Sequence, residues 1–325
     1  MPAVGNQRVG RSYCFLCGSR LRKSNRSDEH VFPKWLLHRF DLWDQELTLL
    51  NRTAIRYRDL TIPCCRRCNT HHWSPIERRV KNASVRGPAA VRRLSRHTLH
   101  LWLAKILYGI LYKEGLLPFD RRNPTSGRLV TRSLLRAFEM HHWLLQGARV
   151  PMRFLGFFPG SVFVFRLQDH PDQRFRFDFR DLPHVLAIAI RMGSVGIVAA
   201  LQDGGAQAAG FSSYMERYRP YALHPVQFLE LVAMVFYKAT LLNRTPKYLI
   251  TESTTAIQII QMPMQGLSLK PIFDEWDQAA YAQHLAAHLN LPLDQVYKPP
   301  DAVITWLNGP DGQPRRLLLR EHTWP

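Results

Sequence analysis

Cys14-Phe15-Leu16-Cys17-Gly18 and Cys65-Arg66-Arg67-Cys68-Asn69 are the stretches that decide how the N-terminal part of this chain folds. Each stretch separates two cysteines by two residues, so a tight turn can direct both thiolates toward one ion. Gly18 suits such a turn because it lacks a Cβ. Two pairs complete a tetrahedral site, and the spacing therefore predicts a structural Zn²⁺ bound by Cys14, Cys17, Cys65 and Cys68.

The fifth cysteine, Cys64, leaves one alternative open, because it could replace Cys65 with three intervening residues. The pattern is not that of a disulfide framework, and a chain of 325 residues is long enough to form a core without one. The N-terminus has no apolar signal-peptide core, and no stretch of about 20 residues is free of charge. We therefore expect a cytoplasmic protein without a membrane span.

Positive charge is concentrated near the N-terminus. The chain has 44 Lys and Arg against 25 Asp and Glu, a net charge of +19. Residues 1–100 hold 20 basic and 7 acidic residues, a net of +13. Such asymmetry favours a polyanionic partner, although a solvated basic surface is the simpler alternative. If the partner is a nucleic acid, the phosphate contacts are predicted at Arg66, Arg67, Arg78, Arg79, Lys81, Arg92 and Arg93.

The segment between the two cysteine pairs contains Ser27-Asp28-Glu29-His30-Val31-Phe32-Pro33. Val31 and Phe32 favour a short strand that Pro33 ends. Neighbouring side chains on a strand point to opposite faces, so Glu29 and His30 can share one site only if the strand bends. After the second pair, Ser74-Pro75-Ile76-Glu77 reads as a capping box, which predicts a helix that carries Asn69 or begins soon after it.

These segments together resemble the HNH, or ββα-metal, nuclease family in its zinc-stabilised form. The resemblance rests on residues 29–36 (EHVFPKWL) and, more loosely, on residues 65–77 (CRRCNTHHWSPIE). It covers roughly residues 10–80, and it implies a small domain of two strands and a helix around a catalytic cation. Within such a domain His30 would be the general base, and Glu29 and Asn69 would bind one Mg²⁺ or Mn²⁺.

The sequence departs from the usual family pattern at two places. Glu29 stands where Asp is usual, and Asp28 precedes it, so Asp28 is an alternative ligand. The middle Asn is missing, and the segment before the second cysteine pair offers only Asp59. Other assignments also stay open, since His30 could bind zinc and Asn69 could cap a helix. His71 and His72 are spare candidates for the cation or for protonating the leaving group.

The remainder of the chain predicts a larger α+β domain over residues 97–325, following a nuclease-like domain over residues 1–96. Apolar spacing predicts helices over residues 97–117, 130–146, 225–242 and 274–289. Segments rich in Val, Ile and Phe predict antiparallel strands over residues 152–167, 174–179 and 184–201, and further strand over residues 248–261. We expect this domain to serve recognition or assembly.

Two functions are therefore considered. The first is a metal-dependent endonuclease that hydrolyses DNA, favoured over RNA, with a homodimer as one way to cut both strands. The second is a non-catalytic zinc protein that binds nucleic acid through the same basic surface. The discriminating residues are Glu29, His30 and Asn69, because pure binding does not need a carboxylate beside a phosphate.

Overall fold

The structure is a computed structural model that describes residues 9–120, 122–123, 125–128, 130–131, 138–252, 256–265 and 270–319. The chain forms two compact units. The first unit contains Met1–Val85, Leu94–Arg153 and Thr251–Gln258. The second unit contains Arg86–Arg93, Phe154–Ile250 and Ile259–Pro325.

The helices and strands follow one another in a mixed order that is typical of an α+β protein. Up to residue 155 they are β1 (Arg26–His30), α1 (Lys34–Arg39), β2 (Glu46–Thr48), β3 (Ala54–Arg56), β4 (Thr61–Cys65), a π-helical turn (Cys68–Trp73), α2 (Ser74–Arg86), α3 (Pro88–Arg92), α4 (Arg96–Glu114), α5 (Glu139–Leu145) and β5 (Met152–Leu155). Beyond it they are β6 (Ser161–Leu167), β7 (Phe177–Leu182), β8 (Ala187–Met192), β9 (Val195–Ala200), α6 (Ala206–Glu216), β10 (Ala222–Leu223), α7 (Pro225–Thr240), β11 (Tyr248–Glu252), β12 (Ile257–Gln261), α8 (Gln278–Leu289), β13 (Tyr297–Lys298) and β14 (Ala302–Val303).

The first unit is organised around the antiparallel pair β1 and β4, in which His30 lies opposite Thr61. The strand predicted over Val31 and Phe32 is wrong, because β1 lies just before these residues and ends at His30. Both residues are instead fully buried just after the strand. The Val31 amide donates to the Leu60 carbonyl oxygen at 3.0 Å. The apolar character of Val31 and Phe32 therefore reflects their burial and not a position within β1.

The helix after β4 begins earlier than its capping signal predicts. Residues 66–86 are helical without a break, so the prediction that the helix carries Asn69 is confirmed. The capping box at Ser74 is wrong, because Ser74 has helical angles (φ −53°, ψ −39°) and its hydroxyl donates to the Asn69 carbonyl oxygen at 3.1 Å. The Glu77 carboxylate bonds with Lys105 instead.

Helix α4 belongs to the first unit, although the domain boundary was predicted at residue 96. The helix is apolar around nearly its whole circumference, with Trp102, Tyr108 and Tyr112 fully buried. A helix without a polar face must be covered on all sides, so it packs in a core rather than leading into a separate domain. The unit thus extends well beyond the cysteine segment.

The second unit is built on a five-stranded sheet of order β10-β6-β9-β8-β7. Neighbouring strands are antiparallel except for β10, which pairs with β6 in parallel. Helix α7 packs against β8 and β9, and α8 packs against α7. The antiparallel strands and the helices at 225–242 and 274–289 are confirmed, with α7 and α8 shorter than predicted. Of the helix predicted over 130–146, residues 139–145 are helical and residues 132–137 lie outside the described residues.

Three smaller sheets complete the strand pairing. They are the three-stranded sheet of order β11-β12-β5 and the pairs β2-β3 and β13-β14. Among the described helices, none has both the length and the apolar character needed to cross a membrane.

Candidate functional site

Four cysteines meet beside the β1–β4 pair. The sulfur atoms of Cys14, Cys17, Cys65 and Cys68 all lie within 4.8 Å of one another. The Sγ atoms of Cys17 and Cys65 are 3.8 Å apart, which matches the edge of about 3.8 Å that follows from Zn–S bonds of about 2.3 Å in a tetrahedron. The predicted four-cysteine group is therefore confirmed, and its geometry can hold a metal ion.

Local backbone structure explains why the first cysteine pair converges. Gly18 has a positive φ of 66°, and its amide donates to the Cys14 carbonyl oxygen at 2.9 Å, which closes the turn. The Cys14 amide donates to the Ser19 carbonyl oxygen at 2.9 Å. A side chain at position 18 would strain this turn, as the sequence predicted.

Cys64 lies next to the four-cysteine group without belonging to it. Its Sγ atom is 3.9 Å from that of Cys14 and donates to the Cys65 carbonyl oxygen at 3.5 Å. Cys64 and Cys65 are consecutive on β4, so their side chains point to opposite faces of the strand. The alternation explains why the group includes Cys65 rather than its neighbour.

Hydrogen bonds among the four thiols shift their pKa values in different directions. Hydrogen bonds from Cys14, Cys65 and Cys68 hold the pKa of Cys17 far below its usual value. Hydrogen bonds with Cys14, Cys17 and Cys65 raise the pKa of Cys68 well above it. A bound divalent cation would favour the thiolate forms of all four.

A buried ion pair occupies the inner face of β1. Glu29 and Lys105 are 4% and 0% exposed, and the Lys105 Nζ atom lies 2.5 Å from a Glu29 carboxylate oxygen. The same ammonium is 2.7 Å from a Glu77 carboxylate oxygen and donates to the His30 carbonyl oxygen at 2.6 Å. Three oxygen atoms therefore surround the lysine and match its three N–H groups.

Burial dominates the titration of Glu29. It raises the pKa of that carboxyl to about 7, against the opposing effect of the Lys105 charge. The carboxylate thus has its positive partner in Lys105. One of its two carboxylate oxygens is therefore already engaged in an ion pair.

The outer face of β1 carries Asp28 and His30, which are two residues apart and therefore share a side of the strand. Asp28 is exposed and pairs with Arg26 at 3.5 Å. The Asn69 side-chain nitrogen donates to the Ser27 hydroxyl at 3.0 Å and to the Asp28 carbonyl oxygen at 3.3 Å. The Asn69 side chain thus contacts β1 at the Asp28 backbone and at the Ser27 hydroxyl, which lies on the same side of the strand as Glu29.

One aromatic contact positions the half-exposed His30 ring. It stacks on Trp43 with ring centroids 6.1 Å apart, and Trp43 stacks on His38 at 4.7 Å. Partial burial lowers the pKa of His30, and the positive charges of Lys34 and Lys105 lower it further. The lowered pKa favours the neutral imidazole, which is the form that can accept a proton.

The predicted phosphate contacts fall into two groups. Arg66, Arg67, Arg78, Arg79 and Lys81 are exposed on the first unit. In the second unit, Arg92 is the last residue of α3 and Arg93 directly follows it. Among salt bridges of the described residues, none involves any of these seven side chains. His71 is exposed and His72 is half-buried. Neither histidine belongs to the four-cysteine group.

Sequence reasoning missed Lys105 and Trp43. A signal for Lys105 was present, because it is a charge within the otherwise apolar stretch from Leu99 to Tyr112. A lysine is almost never fully buried unless it is paired, so an acidic partner could have been expected, although not its identity. No pattern in the sequence indicated that Trp43 would stack on His30.

Comparison of the chain with protein-family models, with curated proteins and with solved structures found no match.

Substitution of Lys105 by methionine is expected to destabilise the first unit by about 3–5 kcal/mol, because Glu29 would stay buried without its positive partner. Chemical denaturation measures the change. Lys113→Met is the matched control on the same helix, since Lys113 donates only to the Asp59 and Thr61 carbonyl oxygens and is half-exposed. Its cost should be about 1 kcal/mol. Equal losses in the two variants would contradict the importance of the buried pair.

Proposed function

We propose that the first unit is a metal-dependent nuclease domain of the HNH type, which hydrolyses phosphodiester bonds of DNA. One observation carries the proposal. The outer face of β1 bears His30 and Asp28, and Asn69 bonds to the same strand, directly beside the four-cysteine group. The antiparallel pair β1–β4 followed by the helix that contains Asn69 is the arrangement the resemblance implies.

The four-cysteine group is proposed to bind a structural Zn²⁺. Four thiolates in tetrahedral arrangement are typical of zinc, and a site with no open position is structural rather than catalytic. The ion would join the loop of Cys14 and Cys17 to the end of β4 and to the helix that follows. It would thereby fix the position of Asn69 relative to β1.

A hard divalent cation, Mg²⁺ or Mn²⁺, is proposed to bind between Asp28 and Asn69. Both side chains supply oxygen atoms, which such cations prefer, and the Asn69 nitrogen is already used as a hydrogen-bond donor, so its oxygen is the coordinating atom. When bound, the cation stabilises negative charge on the phosphate. Because Glu29 is paired with Lys105, Asp28 is the better supported ligand of the two acids.

The neutral His30 ring would accept the proton of the attacking water. Its contact with Trp43 restricts its orientation, so the ring nitrogen can be held toward the water rather than turning freely. The exposed arginines of the helix after β4 would hold the phosphates of the substrate through contacts that do not depend on sequence. One such site cuts one strand at a time, so nicked plasmid should precede linear plasmid.

Nicking of supercoiled plasmid in Mg²⁺ or Mn²⁺ tests the proposal with the matched variants Asp28→Asn and Glu29→Gln. The first removes a proposed cation ligand and should lower the rate at least about 10–100-fold. The second should change it only a few-fold, because Lys105 keeps Glu77 as its partner. A larger loss in the Glu29 variant, at equal folding, would assign the cation to Glu29. The absence of nicking with both metals would exclude the nuclease function.

The second candidate is a non-catalytic zinc protein that binds nucleic acid. The observation in its favour is the Glu29–Lys105 pair, since it neutralises the carboxylate that the family uses as a ligand. This candidate predicts DNA binding with no metal-dependent cleavage of DNA or RNA. The same plasmid assay, accompanied by a binding measurement, separates the two functions.

A further inference from the structure

An open groove on the second unit is lined by arginine side chains far along the chain from the cysteine segment. Its volume is about 430 Å³, and the residues that form its polar lining are Arg166, Gln168, Tyr221, Gln227, Arg315 and Arg316. Among the described residues, no carboxylate lines it. Arg166, Arg315 and Arg316 are exposed, and so is the Tyr221 ring. The groove therefore combines several positive charges with an accessible aromatic face.

Two glutamines hold the groove in shape. The Gln168 side-chain nitrogen donates to the carbonyl oxygens of Ala222 at 2.9 Å and Leu317 at 2.5 Å. The Gln227 side-chain nitrogen donates to the Arg315 carbonyl oxygen at 2.8 Å. These bonds fix the backbone that carries Arg315 and Arg316, so the two guanidinium groups are presented from an ordered segment. Such preorganisation lowers the entropy cost of binding.

Two more arginines extend the positive charge along β6. Helix α3 packs against this strand, and an Arg92 guanidinium nitrogen is buried without a hydrogen-bond partner among the described residues. Burial lowers the pKa of Arg92, and the positive charges of Arg219 and Arg166 lower it further. Arg219 pairs with Glu216 at 2.7 Å. An anion among these side chains would relieve the remaining repulsion.

We propose that the arginine groove, defined by Arg166, Arg315 and Arg316, binds the phosphate backbone of DNA. The proposal rests on the proposed function, since it assigns part of the substrate contact to the second unit. Guanidinium groups bind phosphate oxygens in pairs and are the side chains best suited to this task. Tyr221 offers a flat surface for a sugar or an unpaired base beside the phosphates.

The test measures binding of the full-length chain with His30→Ala, so that cleavage does not interfere, to a fluorescent DNA duplex at several salt concentrations. Arg166→Glu with Arg316→Glu should weaken binding at least tenfold, and the slope of log affinity against log salt should fall by about 2. The control is Lys247→Glu with Lys298→Glu, which makes the same charge change at exposed residues of the same unit. It should weaken binding by less than about threefold.

Equal weakening by the two double variants would overturn the proposal, because net charge alone would then explain binding. No effect of the groove variant would overturn it as well. Arg166→Gln with Arg316→Gln, checked by thermal melting, repeats the test without introducing negative charge. The binding measurement tests only the groove. The nuclease proposal is tested separately, by plasmid nicking with the wild-type chain, so failure of one proposal can be told from failure of the other.

Discussion

Replacement of Cys65 by serine is expected to remove the bound metal and to unfold the first unit. Cys65 supplies one of four sulfur atoms within 4.8 Å of one another, and these join the N-terminal loop to the β1–β4 pair and to its following helix. Structural zinc contributes about 10–16 kcal/mol in small zinc domains, which is comparable to the whole stability of a typical domain of about 5–15 kcal/mol. Loss of one thiolate should therefore leave little of the first unit folded.

Elemental analysis of the purified protein measures the first effect, and circular dichroism with thermal melting measures the second. Cys64→Ser is the matched control, since it makes the same change at the adjacent buried residue outside the four-cysteine group. It should cost only about 1–3 kcal/mol for a buried hydroxyl and keep about one zinc ion per chain. Zinc loss in the Cys64 variant with retention in the Cys65 variant would reverse the ligand assignment. A wild-type protein without zinc would contradict the site altogether.

Substitution of His30 by alanine is expected to lower the rate of plasmid nicking by about 10²–10⁴-fold, the usual contribution of a general base. The fold should survive, because the ring is half-exposed and its contact is a stack on Trp43. The loss should appear in kcat rather than in DNA affinity, since the base acts in the transition state and not in binding.

His38→Ala is the control for this variant. His38 stacks on the same tryptophan, with ring centroids 4.7 Å apart, and is exposed. Its removal disturbs the stack without removing the proposed base, so the rate should fall no more than a few-fold. If His30→Ala nicks plasmid as fast as the wild type, His30 is not the base. If both variants lose activity equally, the stack rather than the imidazole of His30 is what matters.

The cysteine group and the helix containing Asn69 could be predicted because both depend on local sequence. Two residues between paired cysteines determine how their thiolates converge, and Gly18 permits the turn. Strand alternation also predicted that Glu29 and His30 point to opposite faces of a regular strand. β1 is such a regular strand, so Glu29 faces Lys105 in the interior and the His30 side chain points to the other face.

Predictions failed where a distant segment determines the local structure. The capping box at Ser74 was a sound local pattern, but Lys105, from another helix, bonds with Glu77, and the helix continues through Ser74. The boundary predicted at residue 96 treated α4 as the start of a new domain, whereas its apolar circumference makes it part of the first unit's core. Burial partners of this kind cannot be read from spacing along the chain.

The position of a bound cation tests the central claim most directly. Crystals of the His30→Ala chain with a DNA duplex and Mn²⁺ should give two separate anomalous diffraction peaks. Zinc is expected among Cys14, Cys17, Cys65 and Cys68, and manganese between Asp28 and Asn69, with Lys105 still bound to Glu29. Manganese at Glu29 with Lys105 displaced, or no manganese beside residue 30 when the duplex is bound, would contradict the proposed site.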